Sequence, residues 1–286
     1  MRSLVSICVV VGALIFIWYL AAFSLNSTWA LDKAKRAGLE MSSKELILDT
    51  WSQDKPKLPA PHQVGVELWK TTIEKKITSK RSLIFHSWIT LSSTLLGFLI
   101  GTSLGILLAI GIVHNNAMNM SVMPWAIASQ TIPILAIAPM IIVVLNSIGV
   151  QGLLPKAIIS SYRCFFPVVV GLVKGLRSPD KIDTDLLHTY NASSVQKFWK
   201  LKLPTSIPFL FASLKVGVSA SLVGAIVGEL PTGAVRGLGA RLLAGSYYGQ
   251  TIQIWSALIM AAMLAAALVG ILALLQKLTL KRMGMA

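Results

Sequence analysis

The sequence predicts an all-α, polytopic membrane protein with about six transmembrane helices. Three observations carry that expectation. Of the 286 residues, 55% are hydrophobic and 13% are charged, where a soluble domain carries about 25% charged residues. Ser82 through Pro155, a run of 74 residues, contains no Asp, Glu, Lys or Arg. That is several times the roughly 20 residues one spanning helix needs. The Lys and Arg residues lie between or beside the apolar runs, as the positive-inside bias predicts. Their placement accounts for the net charge of +15 through membrane lipid and argues against nucleic acid as a partner.

The candidate spans fall at about 4–24, 83–113, 121–145, 152–175, 205–229 and 253–277. The first resembles a signal peptide in having Arg2 before an apolar stretch. Leu4 to Phe23 is longer than an h-region of about 7–15 residues, and no clear small-x-small cleavage site follows. It reads as a retained helix. The expected organisation is a first transmembrane helix at 1–25, an external loop at 26–82 and a five-span core at 83–286. Within the loop, "PKLPAPHQV" reads as extended, because each proline disfavours helix at its predecessor. "VELWKTTIEKKI" reads as a short surface helix.

Orientation follows from the short loops. Lys174 to Lys202 holds six Lys or Arg against three acids. The C-terminus adds Lys277, Lys281 and Arg282. An even span count then puts both termini and this segment in the cytoplasm. The stretch 26–81 opposes that assignment with eleven Lys or Arg, but it also holds seven acids and approaches the length where the rule weakens.

Span two spaces Gly97, Gly101 and Gly105 four apart, the pattern that lets helix backbones approach closely in lipid. Span five repeats it with Ala220, Gly224 and Gly228. Pro133 and Pro139 interrupt span three, as a kink or as a broken helix lining a pathway. Arg163 interrupts span four. It either faces a water-filled cavity, where it would contact an anionic solute, or snorkels to an interface. Glu229 ends span five, as a gate at the outer mouth or as a partner of Arg236 or Arg241. Tyr247 and Tyr248 read as headgroup-level residues of a short interfacial element.

Cys8 and Cys164 both fall in apolar stretches and read as small hydrophobes. His62, His86, His114 and His188 lack metal-ligand spacing. The sequence shows no catalytic constellation and no phosphate-binding G-x-x-x-x-G-K-[ST] loop. No catalytic residue, metal site or cofactor is therefore assigned to this chain. Any ATP with magnesium would be bound by a partner subunit.

Between spans four and five lies "DTDLLHTYNASSVQKFWKLKLPTSIP". It predicts one short helix over Asp183–Tyr190 and a left-handed turn at Asn191. Ser193 or Ser194 then caps a second helix running to about Leu203, which Pro204 stops. Lys197, Lys200 and Lys202 would hold that second helix against anionic headgroups.

This segment, 180–203, resembles the cytoplasmic E-A-A loop of permease subunits of binding-protein-dependent ABC importers. Asp185, Leu186 and Leu187 occupy the E-A-A position. Asn191, Ala192 and Ser193 occupy the glycine-alanine position. Phe198, Leu203, Pro204 and Pro208 match the remainder. "TIPILAIAP", "FFP" and "GELPTGAVRGLGARL" resemble the family elsewhere, and the pattern is most similar to its nitrate, sulfonate and taurine subfamily. Two leucines replace alanines and Asn191 replaces a glycine, which implies a dock shaped for its own partner. The resemblance implies a homodimer in the bacterial inner membrane. It also implies a cytoplasmic ATP-binding-cassette ATPase dimer docked on this coupling helix, an external solute-binding protein and transport by alternating access. The solute would be an anion such as nitrate or a sulfonate, or a pyrimidine-type vitamin precursor. The alternative is a secondary transporter working without an ATPase.

Overall fold

Inside a bilayer an apolar segment satisfies its own backbone N–H and C=O groups by forming a helix. The computed structural model describes residues 2–38, 41–230 and 236–285, and every element among them is helical. In chain order these are α1 (Arg2–Ala37), α2 (Ser43–Ser52), α3 (Pro61–Trp69), α4 (Leu83–His114), α5 (Asn116–Ser129) and α6 (Ile134–Ser147). There follow α7 (Leu153–Leu176), α8 (Lys181–Thr189), α9 (Ser194–Lys197), α10 (Leu203–Gly228), α11 (Leu238–Tyr247) and α12 (Thr251–Arg282). A π-helical turn at Lys70–Glu74 extends α3, and a second at Phe198–Lys202 joins α9 to α10. Among the described residues five helical runs are long and apolar enough to cross a membrane, and α5 with α6 makes a sixth if that bent pair counts as one span.

The chain divides into two compact units, Met1–Ser87 with Ala240–Ala261 and Trp88–Gly239 with Ala262–Ala286. In the first, α1 continues well past the expected apolar span. "NSTWALDKAKRA" contains no glycine or proline to end it, and the helix stops only at Gly38, with φ 66°. Its buried face is Ala22, Asn26, Ala30 and Ala34, one residue every four. Asn26 is the pin of this unit. Its Nδ2 donates to the carbonyls of Thr50 (3.1 Å) and Leu58 (2.9 Å), and its Oδ1 accepts from the amides of Lys57 (2.9 Å) and Leu58 (3.3 Å). Trp18 Nε1 donates to Pro59 O at 3.0 Å, and Thr251 Oγ1 to Pro56 O. The proline segment is non-helical as far as Ala60, but with bends at Lys57 and Leu58, and Ala60 itself is extended. Pro61 opens α3, because the first helical position needs no N–H and favours the proline φ. The helix α2 went unread in the sequence. Its start is marked by Ser42, whose N–H donates to Glu45 Oε2 at 2.9 Å.

The second unit is organised around α7, packed between α4 and α10. Small residues make this possible. A Cβ on Gly97 would lie 2.4 Å from Ser160 Cβ and 2.6 Å from Ala157 O, and one on Gly101 would lie 2.8 Å from Ser161 O. On α10 the contact stripe is Gly217, Ser221, Gly224 and Gly228, not the expected Ala220, Gly224 and Gly228. A serine relay ties the three helices together. Ser160 Oγ on α7 lies 2.6 Å from Ser221 Oγ on α10, and Ser221 Oγ donates to Thr94 O on α4 at 3.0 Å. We expect Gly97→Leu to destabilise the purified protein by about 1–3 kcal/mol through overpacking. Gly12→Leu, at a site with nothing within 4 Å, should not. Thermal unfolding in detergent, compared for the two variants, checks this.

Span three is broken rather than kinked. Helices α5 and α6 meet at 99°, and each has 14 residues, about 21 Å at 1.5 Å per residue. Pro133 caps α6 and Pro139 lies inside it. Tyr162 Oη donates to Ser129 O, which supplies a partner to backbone freed at the break. Ala138 and Ile142 of α6 pack on Ile159 of α7 and Val227 of α10.

Candidate functional site

The segment 180–203 folds as one surface-presented motif. Asp180 precedes α8 in extended conformation, and Asp183 lies in its first turn, where a carboxylate complements the helix dipole. None of the residues of α8 is buried. Ile182, Leu186 and Tyr190, spaced by four, are 81%, 53% and 76% exposed. They form an exposed apolar stripe running along α8 to its C-cap residue Tyr190. Asp185 is also exposed, while Leu187 is half-buried.

The turn after α8 is a Schellman motif. Asn191 has φ 53°, and its N–H donates to His188 O at 2.9 Å. The N–H of Ala192 donates to Leu187 O at 3.0 Å. These two bonds satisfy helix-end carbonyls that would otherwise lack partners. Asparagine adopts this conformation more readily than other residues with a Cβ. Ser193 then starts α9 with a capping box. Gln196 N donates to Ser193 Oγ at 3.3 Å, and Ser193 N donates to Gln196 Oε1 at 2.9 Å.

Pro204 does not stop the second helix. The chain is helical without interruption from Ser194 to Gly228. The π turn accommodates the proline: Leu203 N–H reaches back five residues to Phe198 O, and the missing donor of Pro204 falls where the helical register is already shifted. Phe198 is half-buried rather than presented outward. Its ring meets His114 of α4 edge-on at 5.1 Å, and it packs on the cluster built from Ala109, Ile112, Leu172 and Leu176. Trp199 beside it is exposed. The structure therefore brings Asp185, Leu186, Leu187, Asn191, Ala192 and Ser193 into one helix–turn–helix, and Phe198 fastens that motif to the body. Ile182 and Tyr190 were missed in the sequence. Their four-residue spacing with Leu186 was visible there, but which face would stay uncovered was not.

The expected pathway residues have distinct settings. Arg163 sits midway along α7 and is half-buried. Its stem packs on α10, where a Cβ on Gly224 would lie 3.3 Å from Arg163 Cγ, and its Nε is buried with no hydrogen-bond partner among the described residues. Lys215, unremarked in the sequence, is a second intramembrane cation. Its Nζ donates to Gln276 Oε1 of α12 at 2.7 Å. The signal was present, since Lys215 is the one charge between Lys202 and Glu229.

Glu229 is 0% exposed at the end of α10. Thr90 Oγ1 lies 3.0 Å from both of its carboxylate oxygens, and Gly239 N donates to Oε2 at 2.8 Å. Leu238 N in turn donates to Thr90 Oγ1 at 2.9 Å. Thus α4, the end of α10 and the start of α11 close around one carboxylate. The portion of "GELPTGAVRGLGARL" at 231–235 lies outside the described residues.

Residues 101–285 match the family described as binding-protein-dependent transport system inner membrane component. A formylaminopyrimidine transport permease protein of Halalkalibacterium halodurans is 31% identical over 183 residues, covering 64% of this chain and 68% of that protein. A riboflavin transport system permease protein of Chloroflexus aurantiacus is 28% identical, covering 78% and 80%. A nitrate import permease protein of Leptolyngbya laminosa is 24% identical, covering 74% and 77%.

Proposed function

Because the chain belongs to the binding-protein-dependent transport system inner membrane components, we propose that it forms, as a homodimer, the translocation pathway of an ATP-driven importer for a small solute. A separate cytoplasmic ATPase dimer binds ATP with magnesium and docks on α8. An external binding protein delivers the solute. The membrane is the bacterial inner membrane.

The observation that carries this reading is the stripe Ile182, Leu186 and Tyr190 on a helix with no buried residue. Its position explains how force would travel. The motif leads through Asn191 into a helical run from Ser194 to Gly228, 35 residues without a break. Movement of the dock therefore enters a spanning helix directly, as through a lever. Alternating access follows from closure of the ATPase pair. Reconstitution with the ATPase and binding protein tests the reading. Solute uptake that requires ATP supports it, and uptake driven by an ion gradient without the ATPase overturns it.

In the same assay Arg163→Ala should lower uptake about tenfold or more while leaving ATPase co-purification intact. An unpaired cation inside a span is costly and is kept where it meets solute or water. Arg163→Lys should restore part of the uptake. Normal uptake by the alanine variant removes Arg163 from the pathway. Lys215 is the second pathway candidate. Glu229, enclosed by its hydrogen bonds, acts as a latch on the turn after α10.

The bent pair decides topology. If α5 and α6 together cross once, both termini lie in the cytoplasm; if they turn back, the termini lie on opposite sides. In a background lacking Cys8 and Cys164, a cysteine at Lys55 should react with an impermeant thiol reagent in intact cells. Cysteines at Lys197 and at Met285 should not. Labelling at Met285 would mean five crossings.

A further inference from the structure

One concave site in the first unit is left unused by the docking motif and by the pathway residues. It is a groove of about 550 Å³, lined by Lys70, Lys75, Arg81 and Arg241, with Glu67 and Tyr248 among its other residues. Sites for small organic ligands are of this size, roughly 300–1,000 Å³. Four cations and a single carboxylate line it. The π turn Lys70–Glu74 contributes to this lining: Lys75 N donates to Lys70 O at 3.2 Å, five residues back. This wider turn puts Lys70, Thr71 and Lys75 on the groove together.

Arg241 is the decisive member. Its Nε is buried and has no hydrogen-bond partner among the described residues. A buried charged donor left in that condition destabilises the fold more than a neutral one does. Burial lowers the pKa of its guanidinium, Glu67 raises it, and the nearby Arg81 lowers it again. Glu67 acts on Arg241 more strongly than Arg81 does, so burial rather than repulsion is what chiefly disfavours its charge. An anion with several acceptor oxygens suits such a lining. It would offer the orphaned donor a partner and would share one negative charge between two guanidiniums, a group that pairs well with oxyanions. The neutral side-chain amides of Gln250 and Gln253 on the same groove suit an oxyanion that also carries an uncharged body.

We propose that this groove binds an oxyanion of the sulfonate, sulfate or carboxylate class, with Arg241 and Arg81 as its principal ligands. Taken with the importer reading, on which its meaning rests, this is where an anionic solute first meets the permease. A phosphate on an anionic lipid headgroup offers the same chemistry, so the test separates the two sources.

The full chain is placed in nanodiscs of phosphatidylcholine, and its melting temperature is followed against sulfate and methanesulfonate at constant ionic strength. The expected result is a saturable rise with either anion. Its midpoint should shift at least tenfold in Arg241→Gln and in Arg81→Gln and stay unchanged in Lys44→Gln, an exposed cation removed from α2. A rise produced by phosphatidylglycerol in the discs, absent with sulfate and lost in the same two variants, assigns the site to lipid and overturns the solute assignment. No response to any of these, or a response equal in all variants, overturns the site itself. Co-purification of the ATPase with Arg241→Gln keeps the outcomes apart, because lost anion response with intact co-purification leaves the importer reading standing.

Discussion

Leu186→Asp should abolish ATP-driven uptake, by a hundredfold or more, while the protein still inserts, purifies and melts as the parent does. Leu186 is the middle residue of the exposed stripe on α8, flanked one turn either way by Ile182 and Tyr190. In the free chain an exposed aspartate there costs nothing in packing. In the docked complex it would carry a carboxylate into an apolar interface, where a desolvated charge without a partner costs several kcal/mol. Each 1.4 kcal/mol is a factor of ten in affinity. Loss of the ATPase from pull-downs, together with lost uptake, is the expected measurement. Leu187→Asp should behave differently. That side chain is half-buried, so the charge should also lower the melting temperature. Asn191→Val removes the residue that tolerates φ 53° and should misdirect α8, with the same loss of ATPase and little change in melting. If Leu186→Asp and Asn191→Val both transport normally, the segment is an ordinary basic loop.

Gly237→Ala should be among the most damaging single-methyl changes at the described glycines. Gly237 has φ 121°, and a Cβ there would lie 2.2 Å from Glu229 Cδ. A side chain adds backbone strain at that φ and collides with a carboxylate that Thr90 and Gly239 already hold. The carboxylate cannot move aside without losing those bonds. Glu229→Ala makes the complementary break. It removes the carboxylate that the Thr90 hydroxyl and the Gly239 amide contact, and a buried hydrogen bond lost in this way costs about 1–3 kcal/mol. Glu229→Gln keeps one acceptor oxygen and should fall between. Melting temperature and the fraction recovered folded from detergent extraction measure all three. The order Gly237→Ala and Glu229→Ala well below Glu229→Gln, which in turn lies below the parent, is expected. Equal stability of all three would show that the turn does not depend on this carboxylate.

Legibility varied by residue for identifiable reasons. Asn191 could be read because few residues with a Cβ enter the left-handed region, and an asparagine between two helical patterns has little else to do. Ser193 could be read because its capping geometry is completed within three residues. The break at Pro133 was visible as one of two readings. Its 99° angle was not, since that depends on what donates to the freed carbonyl, here the hydroxyl of Tyr162 from another helix. Pro204 looked like a terminator because a proline ordinarily is one, and the π turn that absorbs it leaves no mark on composition. The serine pair Ser160 and Ser221 and the contact of Thr90 with Glu229 join positions 61 and 139 residues apart, so no local pattern announces them.

The sequence by itself determined the apolar spanning helices and the family, because backbone hydrogen bonding in an apolar run is local and leaves no alternative to the helix. The tertiary structure decided which face of each helix is covered. Lipid is as apolar as a leucine side chain, so hydrophobicity does not say which stripe packs inward. Gly217 and Ser221 rather than Ala220 meet α7 because backbone approach, not polarity, selects the contact. Ile182 joins Leu186 on the free stripe of α8, while Leu187 is half-buried. Arg81 and Arg241, 160 residues apart, become one site only when the chain has folded.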